Sequence, residues 1–386
     1  MGGLARSLAI VIAVVVSSCA PRALGAATDS VPDTGTLASA SRAERAPVPR
    51  PVSARFFVAS ESTNEVWVLE GDPLAVVGRI PVGAFPHNIS VSPDGVHVAV
   101  ANRMGDTVSV IDPGAMREVA RVIVPRQPHD LIWSPDARTI FVSSEREPYI
   151  GRIEAGTWRA LAPLYVAVPQ HALAISRDRP NELWFTVTNS SARDHLRVYD
   201  LRTGSVTPIG VTDVHDVFFT PDGSEVWTTS SGFLCRPSDR IVVYDPIAKT
   251  VKGEVHFAGH YPFHTIKQNR DATFFIDQTD TMVLSDHLLN GVLVVDWRER
   301  AIVRSASLAQ PAFPSKGKCG IEPFHTAYTP GRYYITSNKD DSVRVVDAAT
   351  MTILQRVEVT TPHGIVLVPS IDPHRAPDDA FRPGLH

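Results

Sequence analysis

The chain has 386 residues, 44% of them apolar, with a formal net charge of −4 and a pI near 6.4. No basic block stands out, so no nucleic acid partner is expected, because phosphate binding needs concentrated positive charge. The 31 prolines and 24 glycines point to many turns rather than long helices.

The N-terminal segment reads as a targeting signal, not as part of a fold. Arg6 supplies the positive end, and LAIVIAVVV (8–16) is an apolar run too short to span a bilayer comfortably. It ends in Val16-Ser17-Ser18-Cys19, which resembles the lipobox of bacterial lipoproteins. That resemblance implies lipidation of Cys19 and a mature chain that begins there. Ordinary secretion, with cleavage near ALGA (23–26), is the alternative. Residues 1–19 are thus expected to be a lipoprotein-type signal peptide. Residues 20–50, polar and rich in Ala, Ser, Arg and Pro, are expected to be a disordered tether. Either route exports the protein. The expectation is a periplasmic or cell-surface lipoprotein whose lipid anchor makes the membrane a partner. In that compartment the remaining cysteines, Cys235 and Cys319, are expected to pair as a disulfide, with metal ligation the other use.

From residue 51 onward the chain repeats. Three strands come first, RFFVAS (55–60), EVWVLE (65–70) and AVVGRIPV (75–82). Then the same phrase returns: PHNISVSPDG (86–95), PHDLIWSPDA (128–137), QHALAISRDR (170–179) and VHDVFFTPDG (214–223). Looser copies follow at FHTIKQNRDA (263–272), FHTAYTPGRY (324–333) and PHGIVLVPSI (362–371), and the histidine spacings are 42, 42, 44, 49, 61 and 38 residues. Between histidines come a strand such as VHVAVAN (96–102), another such as TVSVID (107–112) or SVRVVD (342–347), and a fourth such as EVARVIV (118–124). Four short alternating strands per repeat of about 40–45 residues mark a β-propeller blade.

The predicted architecture is therefore all-β, a seven-bladed β-propeller of four-stranded blades over 51–370. It is closed by pairing the N-terminal strands with the C-terminal histidine strand, so that no sheet edge is left open. Residues 371–386 are expected to be a flexible tail. The repeats resemble the YVTN type, most closely in VANRMGDTVSVID (100–112) and TSNKDDSVRVVD (336–347). Glu70, Asp112, Glu154, Asp200, Asp245, Asp296 and Asp347 each end a third strand before a turn, where a carboxylate bonds nearby amides.

The histidine opens the innermost strand of each blade. His87, His129, His171, His215, His264, His325 and His363 are accordingly expected to ring the propeller axis near one mouth. The residues around them drift, and in the fifth and sixth units the Pro-Asp-Gly turn is lost or shifted, yet the histidine stays. Imidazoles suit copper, zinc, iron and nickel, and copper(II) heads the affinity order. Copper, mono- or polynuclear, is thus the expected cofactor, with another transition metal as the alternative. Seven imidazoles exceed what one ion normally takes. The arrangement resembles the propeller domain of nitrous oxide reductase, which holds a copper–sulfide cluster on seven channel histidines. After residue 369 only SIDPHRAPDDAFRPGLH follows, with no counterpart of that family's cupredoxin domain. The resemblance therefore implies a metal-site relative served by a separate electron donor, or acting on a small-molecule substrate.

Loops between second and third strands are expected to open on the histidine face. Those carrying Cys235 and Cys319 would clamp that mouth if joined. His260, Asp286, His287 and Glu322 also fall near it, and Asp130 and Asp216 directly follow ring histidines, where they could orient imidazoles or bond local backbone. His97, His195, His256, His374 and His386 lie off the repeat position and are expected at the surface. Three functions remain open. The first is a copper-dependent oxidoreductase or copper-handling protein. The second is a metal-free scaffold that binds a protein or ligand on its top face. The third is a lactonase- or lyase-type propeller with histidine acid–base chemistry.

Overall fold

The computed structural model describes residues 55–187, 194–210, 214–220, 222–230, 239–258, 262–265, 281–286, 291–308 and 325–368; the side chains of 230, 262–265, 281–286 and 339 lie outside it. The chain divides into units Met1–Pro47 and Val48–His386, and the first lies wholly outside the described residues. So do Cys19, Cys235 and Cys319, and with them the expected lipidation and disulfide.

Seven four-stranded antiparallel sheets make up the described part. The first joins both ends of the repeat region, with β1 (Arg55–Ser60), β2 (Glu65–Glu70) and β3 (Ala75–Pro81) running beside β28 (Pro362–Val368). Register is set by Phe56 opposite Leu367, Phe57 opposite Val366 and Val58 opposite Ile365. The innermost strands of the other six blades are β4 (Pro86–Val91), β8 (Pro128–Trp133), β12 (Gln170–Ser176), β16 (Val214–Phe219), β20 (Pro262–Thr265) and β24 (Thr326–Thr329).

Packing between blades explains the sequence pattern. Inner strands such as β4, β8 and β16 are buried at every residue, because blades cover both of their faces. Outermost strands such as β3 or β7 (Arg117–Ile123) bury few residues. Seven apolar clusters fill the seven seams, and each draws on two adjacent sheets. The last seam returns to the start. Phe56, Trp67 and Leu367 of the first blade pack with Tyr334, Val343 and Val357 of the seventh. The ring is thus closed by hydrogen-bonded strands within one blade and by apolar packing everywhere else.

The five aspartates that end third strands accept from turn amides as the sequence predicts, whereas Glu70 accepts from Arg55 Nε and Glu154 from Thr157 Oγ1 and Arg159. Asp112 accepts from Ala115 N, Asp245 from Ile247 N and Ala248 N, and Asp347 from Ala349 N and Thr350 N.

Candidate metal centre

At the histidine-bearing strands of six blades the pairing shifts at or beside the histidine, whereas the ladder of β24, which begins just after His325, is unbroken. Between Pro86 and Ile89, Pro128 and Leu131, Gln170 and Leu173, and Val214 and Val217 the ladder skips. Such a bulge takes backbone out of the ladder and re-aims the side chain. The freed amides find hydroxyls on the next strand of the same blade. Asp130 N donates to Ser143 Oγ, Ala172 N to Thr186 Oγ1, Asp216 N to Thr229 Oγ1 and His325 N to Thr336 Oγ1. Three of these hydroxyls donate onward to the histidine carbonyl of the following blade, Ser143 to His171, Thr186 to His215 and Thr336 to His363. In these three pairs, one blade therefore helps place the next blade's histidine. Asp130 joins the same lattice, since its Oδ2 accepts from Leu173 N on the neighbouring inner strand. Asp216 is buried.

Upstream, a left-handed residue opens the approach to the histidine in three blades. Phe85, Gln127 and Thr361 have φ of 58°, 49° and 40°. Their amides donate to Asn64, Asp106 and Asp341. Those three anchors are themselves left-handed hairpin residues, a conformation that Asn and Asp tolerate better than other side chains do.

The result, among the described residues, is a run of six touching imidazoles. His87, His129, His171, His215, His325 and His363 are all buried. Centroids lie 3.6 Å apart for His87 and His363, 3.8 Å for His129 and His171, 4.3 Å for His325 and His363, 4.4 Å for His171 and His215, and 4.6 Å for His87 and His129. His264 lies on β20, and its side chain is outside the described residues. Also outside are His260, His287, Glu322 and the side chain of Asp286. His195, expected at the surface, is instead buried; it stands beside β14 (Leu196–Asp200), where its carbonyl accepts from Val187 N. His256 is exposed, beside Asp239 and Glu254.

Two carboxylates that the histidine spacing does not show complete the site. Glu61 Oε1 lies 2.6 Å from His87 Nδ1, and Glu145 Oε1 lies 3.2 Å from His171 Nδ1. Both stand just after a second strand, in the loops expected to open on this face. Glu61, Arg103, Glu145 and Asn338 hold that position in their blades, and the first three are 42 residues apart, like His87, His129 and His171. That shared period sets one repeat position, but only the pairing with His87 and His171 singles out the two carboxylates. Potential ligand atoms of Glu61, His87 and His363 lie within 4.8 Å of one another, as do those of His129, Glu145 and His171.

The carboxylates differ in electrostatics. Burial pushes Glu61 up to about 7, against the lowering effects of the Asn338 hydrogen bond and the Arg103 charge. Burial acts on Glu145 too, but the hydrogen bond and charge of His171, with those of Arg103, outweigh it and hold Glu145 below the ordinary value.

The raised value at Glu61 has a signed consequence for stability. Between the ordinary value of 4.5 and about 7, the native state holds a proton that the unfolded chain has released. This group's contribution is therefore full below 4.5 and is lost as pH rises through that window. Metal-free Glu61→Gln is expected to melt with wild type near pH 4 and above it at pH 8, by at most about 3 kcal/mol. Parallel melting curves for the two proteins from pH 4 to 8 would contradict this.

The sequence matches the YNCE-like β-propeller family model over residues 12–191. No curated protein matches it significantly. Similar solved structures include hydrazine synthase of Kuenenia stuttgartiensis, at 16% identity and a TM-score of 0.60, covering 81% of this chain and 99% of that one. Apo AztD from Citrobacter koseri matches at 12% identity and a TM-score of 0.60, covering 83% and 98%. A functionally unknown protein from Desulfotomaculum acetoxidans matches at 16% identity and a TM-score of 0.62, covering 82% and 99%. These likenesses, with the closed ring of seven sheets, establish the fold as a β-propeller.

Proposed function

We propose that this propeller is an exported, membrane-anchored metal-binding protein that holds copper(II), or another divalent transition ion, on the imidazoles at the mouth of its axis. One observation carries the reading: His87 Nε2 lies 3.0 Å from His129 Nε2, and His171 Nε2 lies 3.0 Å from His215 Nε2. Nitrogens that share one ion at bond lengths of about 2 Å are at most about 4 Å apart, so both contacts fall within the range of a common metal. Imidazole donors suit copper and zinc, and copper(II) binds N-donor sites the more tightly of the two.

Glu61 serves as the orienting acceptor of such a site rather than as a ligand. Two donors at right angles on an ion with bonds of about 2.1 Å are about 3.0 Å apart, and the 2.6 Å contact with His87 is shorter than that. An ionised carboxylate there accepts a hydrogen bond from Nδ1–H and so holds the tautomer whose lone pair is on Nε2. Charge supports the same reading. Two imidazolium ions at about 4 Å would repel by about 4 kcal/mol at an effective dielectric of 20, whereas one cation shared among neutral rings relieves that crowding.

Electron paramagnetic resonance of the full chain loaded with copper(II) tests this. The expected spectrum shows hyperfine splitting from several imidazole nitrogens, and a spectrum of free or surface copper alone would overturn it. Turnover with an added electron donor then separates redox catalysis from copper handling. The contact chain from Glu61 through His87 to His129 favours acid–base catalysis as the second reading. Activity that survives exhaustive chelation would establish it.

A further inference from the structure

Glu61 and Glu145 are 84 residues apart, and so are His87 and His171. Each carboxylate heads a matching constellation, two blades from the other. Around His87, His363 stacks on the ring at 3.6 Å and His129 Nε2 faces its Nε2 at 3.0 Å. Around His171, His129 packs on the ring at 3.8 Å and His215 Nε2 faces its Nε2 at 3.0 Å. The unit is the same both times: a carboxylate on Nδ1, one imidazole over the ring and another against Nε2.

The difference lies behind the carboxylates. Asn338 Nδ2 donates to Glu61 Oε2 at 3.1 Å. Arg103 donates to Glu145 Oε2 from Nε at 2.9 Å and from Nη2 at 2.6 Å. A neutral amide therefore backs one unit and a guanidinium the other. Arg103 acts on Glu61 only through space. Because Asn338, Glu61, Arg103 and Glu145 occupy one repeat position in successive blades, the asymmetry comes from the residue types at that position.

Resting on the metal reading above, we propose that the ring holds two ions, one at each unit, and that Arg103 makes the Glu145 position the weaker and exchangeable one. A guanidinium bound twice to Glu145 cancels the negative charge that would otherwise polarise His171 and attract a cation. Its own positive charge opposes a second cation nearby. Asn338 imposes no such charge on Glu61. The weaker position is the one from which an ion can be passed on without emptying the ring.

Calorimetric titration of the metal-free full chain with copper(II), using glycine as competitor, tests the proposal. Two ions per chain with separated affinities are expected. Arg103→Met is expected to tighten the weaker position by roughly 10- to 100-fold, the range for partners behind metal ligands, and to change the stronger one much less. Asn338→Arg is expected to weaken the stronger position by a similar factor. Melting curves of both variants verify that they fold; Arg103 lies in a loop and Asn338 opens a short 3-10 turn, both outside the seams. A single ion per chain, two ions of equal affinity, or Arg103→Met leaving both affinities unchanged would overturn the two-position proposal while leaving a metal site in place. No copper bound at any concentration would overturn the metal reading itself.

Discussion

A chain ended at Thr361 is expected not to fold. The missing strand, β28, is the innermost strand of the first blade and is buried along its whole length. Its side chains serve two seams at once: Ile365 and Leu367 pack toward the seventh blade, and Val366 and Val368 toward the second. Burying each such side chain contributes roughly 1.5–3 kcal/mol, so four of them amount to about 6–12 kcal/mol, comparable with the roughly 5–15 kcal/mol of a whole native state. The cut also opens the hydrogen-bonding edge of β1, an invitation to aggregation. Gly364 offers a graded version of the test. A Cβ there would stand 2.8 Å from Ile89 Cγ2 and 2.9 Å from the His87 carbonyl oxygen, so Gly364→Ala is expected to lower the melting temperature by forcing β28 and β4 apart. Circular dichroism and thermal unfolding of both variants check this. A truncated chain that stays soluble and melts cooperatively within a few degrees of full length would show that the ring closes without its C-terminal strand.

How the sequence announces this fold is plain in the third strands. TVSVID and SVRVVD coincide with observed strands residue for residue, because period-2 alternation and a terminal turn acid mark both ends of the element. The histidine ring is legible for a related reason: one residue type recurs at one phase of the repeat. Glu61 and Glu145 are not legible that way. Their repeat position carries Glu, Arg, Glu and Asn in the described blades, so no residue type recurs, and only the three-dimensional pairing with His87 and His171 reveals a function. The bulges are hidden as well. Nothing in PHD or QHA signals a skipped ladder bond, and the hydroxyls that satisfy it, such as Ser143 and Thr186, read in sequence as ordinary strand residues. His195 misled because burial there is imposed by tertiary packing, which an off-repeat position in a loop does not disclose.

Replacing His129 with alanine is expected to have the largest effect on metal binding of any single substitution. This ring belongs to both carboxylate-headed units, facing His87 Nε2 at 3.0 Å and lying over His171 at 3.8 Å. Its loss removes a donor from one position and the packing that orients His171 at the other. Since partners behind metal ligands alone are worth about 10- to 100-fold in affinity, removal of a shared ring is expected to weaken copper binding by at least about 100-fold. The apo fold should change little, because the vacated space borders a polar site that water can fill. Stability in the presence of copper gives an independent reading of the same loss. Copper at 100 times its dissociation constant stabilises the native state by about 2.7 kcal/mol, roughly 4 °C for a domain of this size, and His129→Ala should forfeit nearly all of that rise. His256→Ala, on an exposed ring beside Asp239 and Glu254, should keep it. If His129→Ala bound copper and gained melting temperature as wild type does, the imidazole ring would not be where the metal sits, and the contacts among its nitrogens would belong to the architecture of the channel alone.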